Sequence, residues 1–223
     1  STFFVIKILT PDDYGIIEIC VAVISLSFVL SEGGLADAIV RYKNSTGSFI
    51  NEIFTVSLML NVFFYFIIWH AAPLVSAFFA EDDLTYALRV VALQLPISSF
   101  FIVPLGILRL KMNFKVIAIV EGIAGVSNAA FTLSFAMLGY GYWSLVFGVI
   151  AGSLVKAIAL NFKVRAGFRL TKHFKEIGKA ARFSSFTVLN RLLWLFYTKI
   201  DVVIVGRIIS TSALGYYSVA LQI

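Results

Sequence analysis

Long runs of apolar residues alternate with short polar segments along the whole chain, and this alternation restricts the fold more than any other feature. A helix that crosses a bilayer needs about 20 apolar residues to cover about 30 Å of hydrocarbon. We therefore predict complete membrane spans at 14–40, 49–79, 84–108, 116–138, 143–162 and 183–209. The tail of an earlier span is predicted at 3–9, and the start of a later one at 213–223.

The composition agrees with a membrane-embedded fold. Hydrophobic residues make up 60% of the chain and charged residues 13%, whereas a water-soluble domain carries about 25% charged residues. The predicted fold class is therefore all-α, a polytopic transmembrane helical bundle. Cys20 is the single cysteine, and the two histidines do not stand in a metal-binding spacing, so no metal and no other cofactor is predicted.

The connecting segments alternate in the sign of their charge. The segments 41–47, 109–115 and 163–182 contain two, three and seven of the 18 Lys and Arg residues. The segments 10–13 and 80–83 carry acids and no base. Because the cytoplasmic loops of membrane proteins are rich in Lys and Arg, the three basic segments are predicted to face the cytoplasm. The net charge of +6 is then explained by orientation, and no nucleic acid partner is predicted.

The polar stretch at 163–182 divides the chain. Residues 1–162 are predicted to hold a partial first helix and helices 2 to 6 of an N-terminal lobe, and 183–223 a seventh helix and the start of an eighth. At 170–182 apolar residues share one helical face and Lys and Arg occupy the others, which predicts an interfacial amphipathic helix. The alternative is a solvated linker. Since the chain lacks an initiator Met and ends inside an apolar run, we expect it to be a piece of a longer protein.

Two predicted spans carry polar residues along one face. At about 100° per residue, the span 183–209 places on one side Asn190, Arg191, Trp194, Thr198 and Asp201. Glu121 and Asn128 align in the same way within 116–138. Ionisable groups inside a membrane face the protein interior or a water-filled cavity, so both faces are interpreted as the lining of a hydrophilic cavity. The alternative is a set of interhelical hydrogen bonds that only hold the bundle together.

Other charged residues within the spans are interpreted one by one. Glu18 is a further cavity candidate, and Arg89 either lines the cavity or reaches the lipid headgroups. Lys156, Lys199 and Arg207 lie near span ends and are predicted to extend to the headgroups. The basic segments show no Walker loop, metal motif or acidic pair, so no catalytic residue is predicted and an enzyme is not expected.

Five short motifs follow one another along essentially the whole chain. They are TPDDYG at 10–15, GLADAIVR at 34–41, RLKMNFK at 109–115 followed by Glu121, GYGYWSLV at 139–146, and Asp201 followed by SALGYYSVA at 212–220. In this order they resemble the polysaccharide flippases, which are the O-antigen and exopolysaccharide repeat-unit translocases of the multidrug/oligosaccharidyl-lipid/polysaccharide exporter superfamily.

The resemblance implies two lobes of six or more helices around a central cavity, with this chain forming the N-terminal lobe and the start of the second. The implied substrate is an undecaprenyl-diphosphate-linked oligosaccharide, moved by alternating access between the leaflets of the bacterial cytoplasmic (inner) membrane. Arg191 would bind the diphosphate, and Trp194 would stack on a sugar ring. The remaining residues assigned to the substrate cavity are Asn190, Thr198, Asn128 and Arg89. The residues assigned to a coupling H⁺ or Na⁺ are Glu121, Asp201 and Glu18.

Membrane lipids and other proteins of polysaccharide assembly are the further partners that the resemblance implies. Three other functions stay open. A multidrug or cation antiporter of the same superfamily would have a more apolar and acidic cavity. A membrane-embedded glycosyltransferase or polymerase would need an acidic or large periplasmic loop. In a purely structural bundle the polar faces would contact each other.

Overall fold

A computed structural model describes the backbone of residues 9–32, 34–42, 47–165, 167, 169–175 and 177–221, and their side chains except those at 179–186 and 221. Over these residues the chain forms helices and no strand, which confirms the all-α prediction. Apart from Leu9, the span tail predicted at 3–9 lies outside the described residues.

The helices follow the predicted spans closely. In chain order they are α1 (Pro11–Glu32), α2 (Leu35–Arg41), α3 (Gly47–Phe79), α4 (Asp83–Val91), α5 (Gln94–Leu110), α6 (Phe114–Met137), α7 (Tyr142–Val164), α8 (Ile177–Ile204) and α9 (Thr211–Leu221). A single π-helical turn, Val205–Ile209, joins α8 to α9. The break between α4 and α5 precedes Pro96, whose ring clashes with the carbonyl four residues earlier and removes a helix hydrogen bond.

Five helical stretches within the described residues are long and apolar enough to cross a membrane. They are Pro11–Arg41, Gly47–Phe79, Asp83–Leu110, Phe114–Met137 and Tyr142–Val164. Each agrees within three residues with a predicted span, so the polytopic membrane fold is confirmed. The helix α8 is not among the five, because polar residues such as Arg191 and Lys199 lower its hydropathy. That α8 crosses the membrane stays a prediction.

The amphipathic helix predicted at 170–182 is wrong in its first half. The described residues 169–175 are not helical, and α8 begins only at Ile177. Side chains of α3 accept hydrogen bonds from backbone amides of this linker. The donor–acceptor pairs are Arg169 N to Asn51 Oδ1 at 3.2 Å, Thr171 N to Thr55 Oγ1 at 3.1 Å and Ile177 N to Glu52 Oε2 at 2.8 Å. These bonds satisfy the amides of Arg169 and Thr171 without a helix, and also the first amide of α8. The lobe boundaries at 162 and 183 stay predictions.

The helix α1 lies at the centre of the packing. It contacts α3, α4, α5, α7, α8 and α9, and its buried Ile19 packs in one core with Leu84 and Leu88 of α4. Because successive long helices run in opposite directions, the acidic and basic segments gather at opposite ends of the bundle. At the acidic end the Tyr142 hydroxyl donates to Asp83 Oδ1 at 3.3 Å. Which end faces the cytoplasm stays a prediction.

Candidate functional site

A helix break places an acidic side chain against an arginine of a neighbouring helix. Gly34 precedes α2 with φ of 116°, a conformation that glycine adopts at little cost. On α5, a Cβ at Gly106 would lie 2.7 Å from Ile39 Cδ1 and 3.1 Å from the Ala36 carbonyl oxygen. The missing side chain therefore lets α2 approach α5 closely, and this approach brings Asp37 to Arg109.

Asp37 binds two arginines at once, one through each carboxylate oxygen. Arg109 Nη1 of α5 lies 3.0 Å from Asp37 Oδ1, and Arg191 Nη2 of α8 lies 2.7 Å from Asp37 Oδ2. We call Arg109 and Arg191 the arginine pair. The contact joins α2, α5 and α8 at the basic end of the bundle. Sequence reasoning selected Arg191 as a cavity cation, but it identified neither Asp37 nor Arg109 as its neighbours.

A polar cleft opens between α1, α5, α6 and α7, with a volume of about 470 Å³. We call it the first cleft, and its polar lining consists of Glu32, Gln94, Glu121, Asn128, Ser153 and Lys156. Lys156 Nζ lies 2.6 Å from Glu121 Oε1, and it also lies 4.7 Å from the centre of the Phe101 ring. The prediction that Lys156 extends to the headgroups is therefore wrong, because a carboxylate on the adjacent helix holds its ammonium group.

Glu32 of α1 lines the first cleft. Its Oε1 atom is buried and has no hydrogen-bond partner among the residues that the structure describes.

A second cleft, of about 260 Å³, lies between α1, α8 and α9 near the acidic end. Lys199 Nζ of α8 is 2.5 Å from Glu18 Oε1 of α1, so the prediction that Lys199 extends to the headgroups is also wrong. The Tyr217 hydroxyl of α9 donates to Asp201 Oδ2 at 2.7 Å. Thr198 lines this cleft and donates to the backbone oxygen of Trp194 at 2.9 Å.

The other predicted site residues lie apart from both clefts. Asn190 and Trp194 are exposed on α8, and the Trp194 ring lies 5.9 Å from that of Tyr197. Arg89 of α4 lies over the Trp69 ring of α3 at 4.8 Å, with its Nε donating to the Trp69 carbonyl at 3.3 Å. Within the described residues, the predicted site residues are thus distributed between the arginine pair, the two clefts, an exposed face of α8 and the contact of Arg89 with Trp69. That they line one cavity stays a prediction.

An apolar groove of about 480 Å³ runs between α1, α3 and α8. Its walls include Leu26, Leu74, Phe78 and Phe196, and Lys199 of the second cleft lies at its edge. In the described part of the chain, no group of three or more His, Cys, Asp or Glu residues could hold a metal ion. The arrangement is suited to binding a ligand that has charged, polar and apolar parts.

Comparison with known proteins identifies the family of this chain. A family model described as "Polysaccharide biosynthesis protein" matches residues 4–223. The succinoglycan biosynthesis transport protein ExoT of Rhizobium meliloti is 23% identical, and the alignment covers 96% of this chain and 43% of ExoT. The lipopolysaccharide biosynthesis protein WzxC of Escherichia coli is 18% identical over 97% of this chain and 44% of WzxC. The probable flippase AglR of Haloferax volcanii is 24% identical over 100% of this chain and 46% of AglR.

The chain spans less than half the length of these relatives. No solved structure matches it. The family model matches nearly the whole chain, and the five apolar helical stretches make the protein a multi-pass membrane protein. The chain therefore belongs to the polysaccharide biosynthesis protein family.

Proposed function

We propose that the full-length protein translocates lipid-linked oligosaccharide repeat units across the bacterial cytoplasmic membrane for surface polysaccharide biosynthesis. The protein acts as a transporter and carries out no covalent chemistry. The observation that carries the proposal is the polar face of α8, which leads from the arginine pair to the second cleft. Arg191 and Asp201 are ten residues apart, a rise of about 15 Å along the helix and half of the hydrocarbon thickness.

Each part of such a substrate has a matching surface. Guanidinium groups bind phosphate oxygens with charge-assisted hydrogen bonds, so Arg191 suits the diphosphate. The exposed rings of Trp194 and Tyr197 offer apolar faces to sugar rings. The apolar groove between α1, α3 and α8 suits part of a polyprenyl chain, since its walls are almost entirely aliphatic and aromatic. Asn190, Thr198 and Asn128 add neutral hydrogen-bonding groups.

Coupling to an ion gradient is part of the proposal. Glu121, Glu18 and Asp201 each have a hydrogen-bonding or charged partner from another helix: Lys156, Lys199 and Tyr217. A coupling H⁺ or Na⁺ at one of these carboxylates would weaken its contact between helices. Such a change would favour one of the two states of a transporter whose lobes alternate in access.

The orientation follows from the charges of the loops. The basic end of the bundle, with 41–47, 109–115 and 163–182, faces the cytoplasm, because Lys and Arg are retained on that side of a membrane. The arginine pair then lies on the side where the repeat units are completed. The residues 1–162 form the N-terminal lobe of the transporter.

Complementation tests the proposal. The full-length gene is expressed in a bacterium that lacks its own repeat-unit flippase, and surface polysaccharide is measured. The wild type and an Arg207→Gln variant are expected to restore the polysaccharide, whereas Arg191→Gln and Asp201→Asn at normal abundance are expected to fail. Increased drug resistance without restored polysaccharide would instead identify a multidrug antiporter. Full activity of all variants would show that the polar face of α8 serves packing alone.

A further inference from the structure

The contact of Asp37 with the arginine pair has an unusual ratio of charges. The salt bridges of Lys156 with Glu121 and of Lys199 with Glu18 each match one base with one acid. Asp37 instead binds two cationic groups, and they come from two different helices. Two guanidinium groups therefore converge on one small oxyanion.

The described residues enclose the contact only partly. The side chains of Asp37, Arg109 and Arg191 are 31%, 37% and 42% exposed. The described helices therefore leave part of both guanidinium groups uncovered. The Nη atoms that bind Asp37 are hydrogen-bond donors of the kind that bind phosphate oxygens with the same geometry.

The proposed substrate carries a stronger anion than a carboxylate. A diphosphate ester has two linked phosphate groups, each with oxygens that accept hydrogen bonds from a guanidinium group. Such an anion can engage Arg109 and Arg191 together and compete with Asp37 for both.

We propose that the arginine pair is the binding site for the diphosphate group of the lipid carrier, and that Asp37 occupies this site as an internal competitor when no substrate is bound. This inference rests on the proposed function for the identity of the ligand. Binding of the diphosphate also releases the contacts of Asp37 with α5 and α8. Occupation of the site is thereby linked to the freedom of α8 to move relative to α2.

The test measures binding of inorganic pyrophosphate to the purified full-length protein by calorimetry. Arg109→Gln and Arg191→Gln should each weaken binding about tenfold, since each removes one charge-assisted contact. Asp37→Asn should strengthen binding about tenfold, because it removes the competitor and leaves both arginines in place. Arg207→Gln, an arginine-to-glutamine change near the acidic end of the bundle, is the matched control and should leave the affinity unchanged.

The wild type provides a second readout that does not depend on how the variants fold. Pyrophosphate should slow the modification of Arg109 and Arg191 by phenylglyoxal, measured by mass spectrometry, and leave the modification of Arg207 unchanged. A polyprenyl diphosphate in detergent should protect the same arginines. Equal protection by phosphatidylglycerol would overturn the assignment to a diphosphate and indicate a general phospholipid site.

Weaker or unchanged binding in a folded Asp37→Asn variant, or the absence of protection in the wild type, would overturn the inference. These results are independent of complementation. A protein that restores polysaccharide but shows neither effect keeps the proposed function and loses this site. A protein that binds pyrophosphate as described but restores nothing keeps the site and loses the proposed function.

Discussion

The salt bridge between Lys156 and Glu121 implies that Lys156 stabilises the helix bundle and does not extend to the lipid headgroups. We predict that Glu121→Gln and Lys156→Gln each destabilise the protein, and that the exchange Glu121→Lys with Lys156→Glu recovers most of the loss. The physical reason is the 2.6 Å separation of Nζ and Oε1 across the boundary between α6 and α7.

The magnitude follows from the distance and the exposure. At an effective dielectric constant of about 20, two unit charges at 2.6 Å attract each other by about 6 kcal/mol. Desolvation of both groups offsets most of that attraction. The side chain of Glu121 is 49% exposed and that of Lys156 is 21% exposed, so the pair lies between an exposed and a buried salt bridge. Loss of one partner should therefore cost about 1–3 kcal/mol.

The assay is a double-mutant cycle of Glu121→Gln, Lys156→Gln and the variant that carries both changes. The free energy of unfolding is measured by detergent titration of the purified full-length protein. We expect a coupling energy of about 1–2 kcal/mol between the two positions. The two single effects could instead be additive, and the variant with Glu121→Lys and Lys156→Glu could be less stable than either single variant. Lys156 would then contribute to stability independently of Glu121. The interpretation of the first cleft as a charged interhelical contact would then be refuted.

Two further predictions test the packing around the arginine pair and the second cleft. Gly106→Val should lower the free energy of unfolding by about 1–3 kcal/mol, because the added side chain overpacks the boundary between α2 and α5. Gly122→Val is the control, because a Cβ at Gly122 meets open space. Equal effects of the two substitutions would contradict the close approach of α2 and α5. Tyr217→Phe should lower the free energy of unfolding slightly, because it removes the hydrogen bond from the hydroxyl group to Asp201. Tyr216→Phe on the exposed side of α9 should cost less, and a reversed order would argue against the contact.

The membrane fold could be predicted from the sequence because length and hydropathy alone determine it. The span predicted at 49–79 is observed as Gly47–Phe79, since no competing interaction can satisfy the backbone of so long an apolar run in a bilayer. The first half of the helix predicted at 170–182 is absent for the opposite reason. Polar side chains of α3 bond to the linker backbone, and this tertiary contact has no signature in the linker itself.

The charged contacts were harder to predict. Helical periodicity relates a residue only to its own helix, whereas Glu121 and Lys156 belong to different helices, as do Glu18 and Lys199. A usable signal was present, because acids and bases occur together inside otherwise apolar spans. Ions placed at such depth require partners. Pairing them correctly, as for Asp37 with its two arginines, requires the helix packing that only the structure supplies.

Reconstitution tests the central claim most directly. The purified full-length protein is placed in liposomes that contain a fluorescent polyprenyl-diphosphate oligosaccharide, and a membrane-impermeant quencher reports the fraction exposed on the outer leaflet over time. The account predicts that the wild type moves the labelled lipid between leaflets, that Arg191→Gln slows the movement, and that Arg207→Gln does not. Movement no faster than in protein-free liposomes, by a folded protein supplied with H⁺ and Na⁺ gradients, would contradict the account.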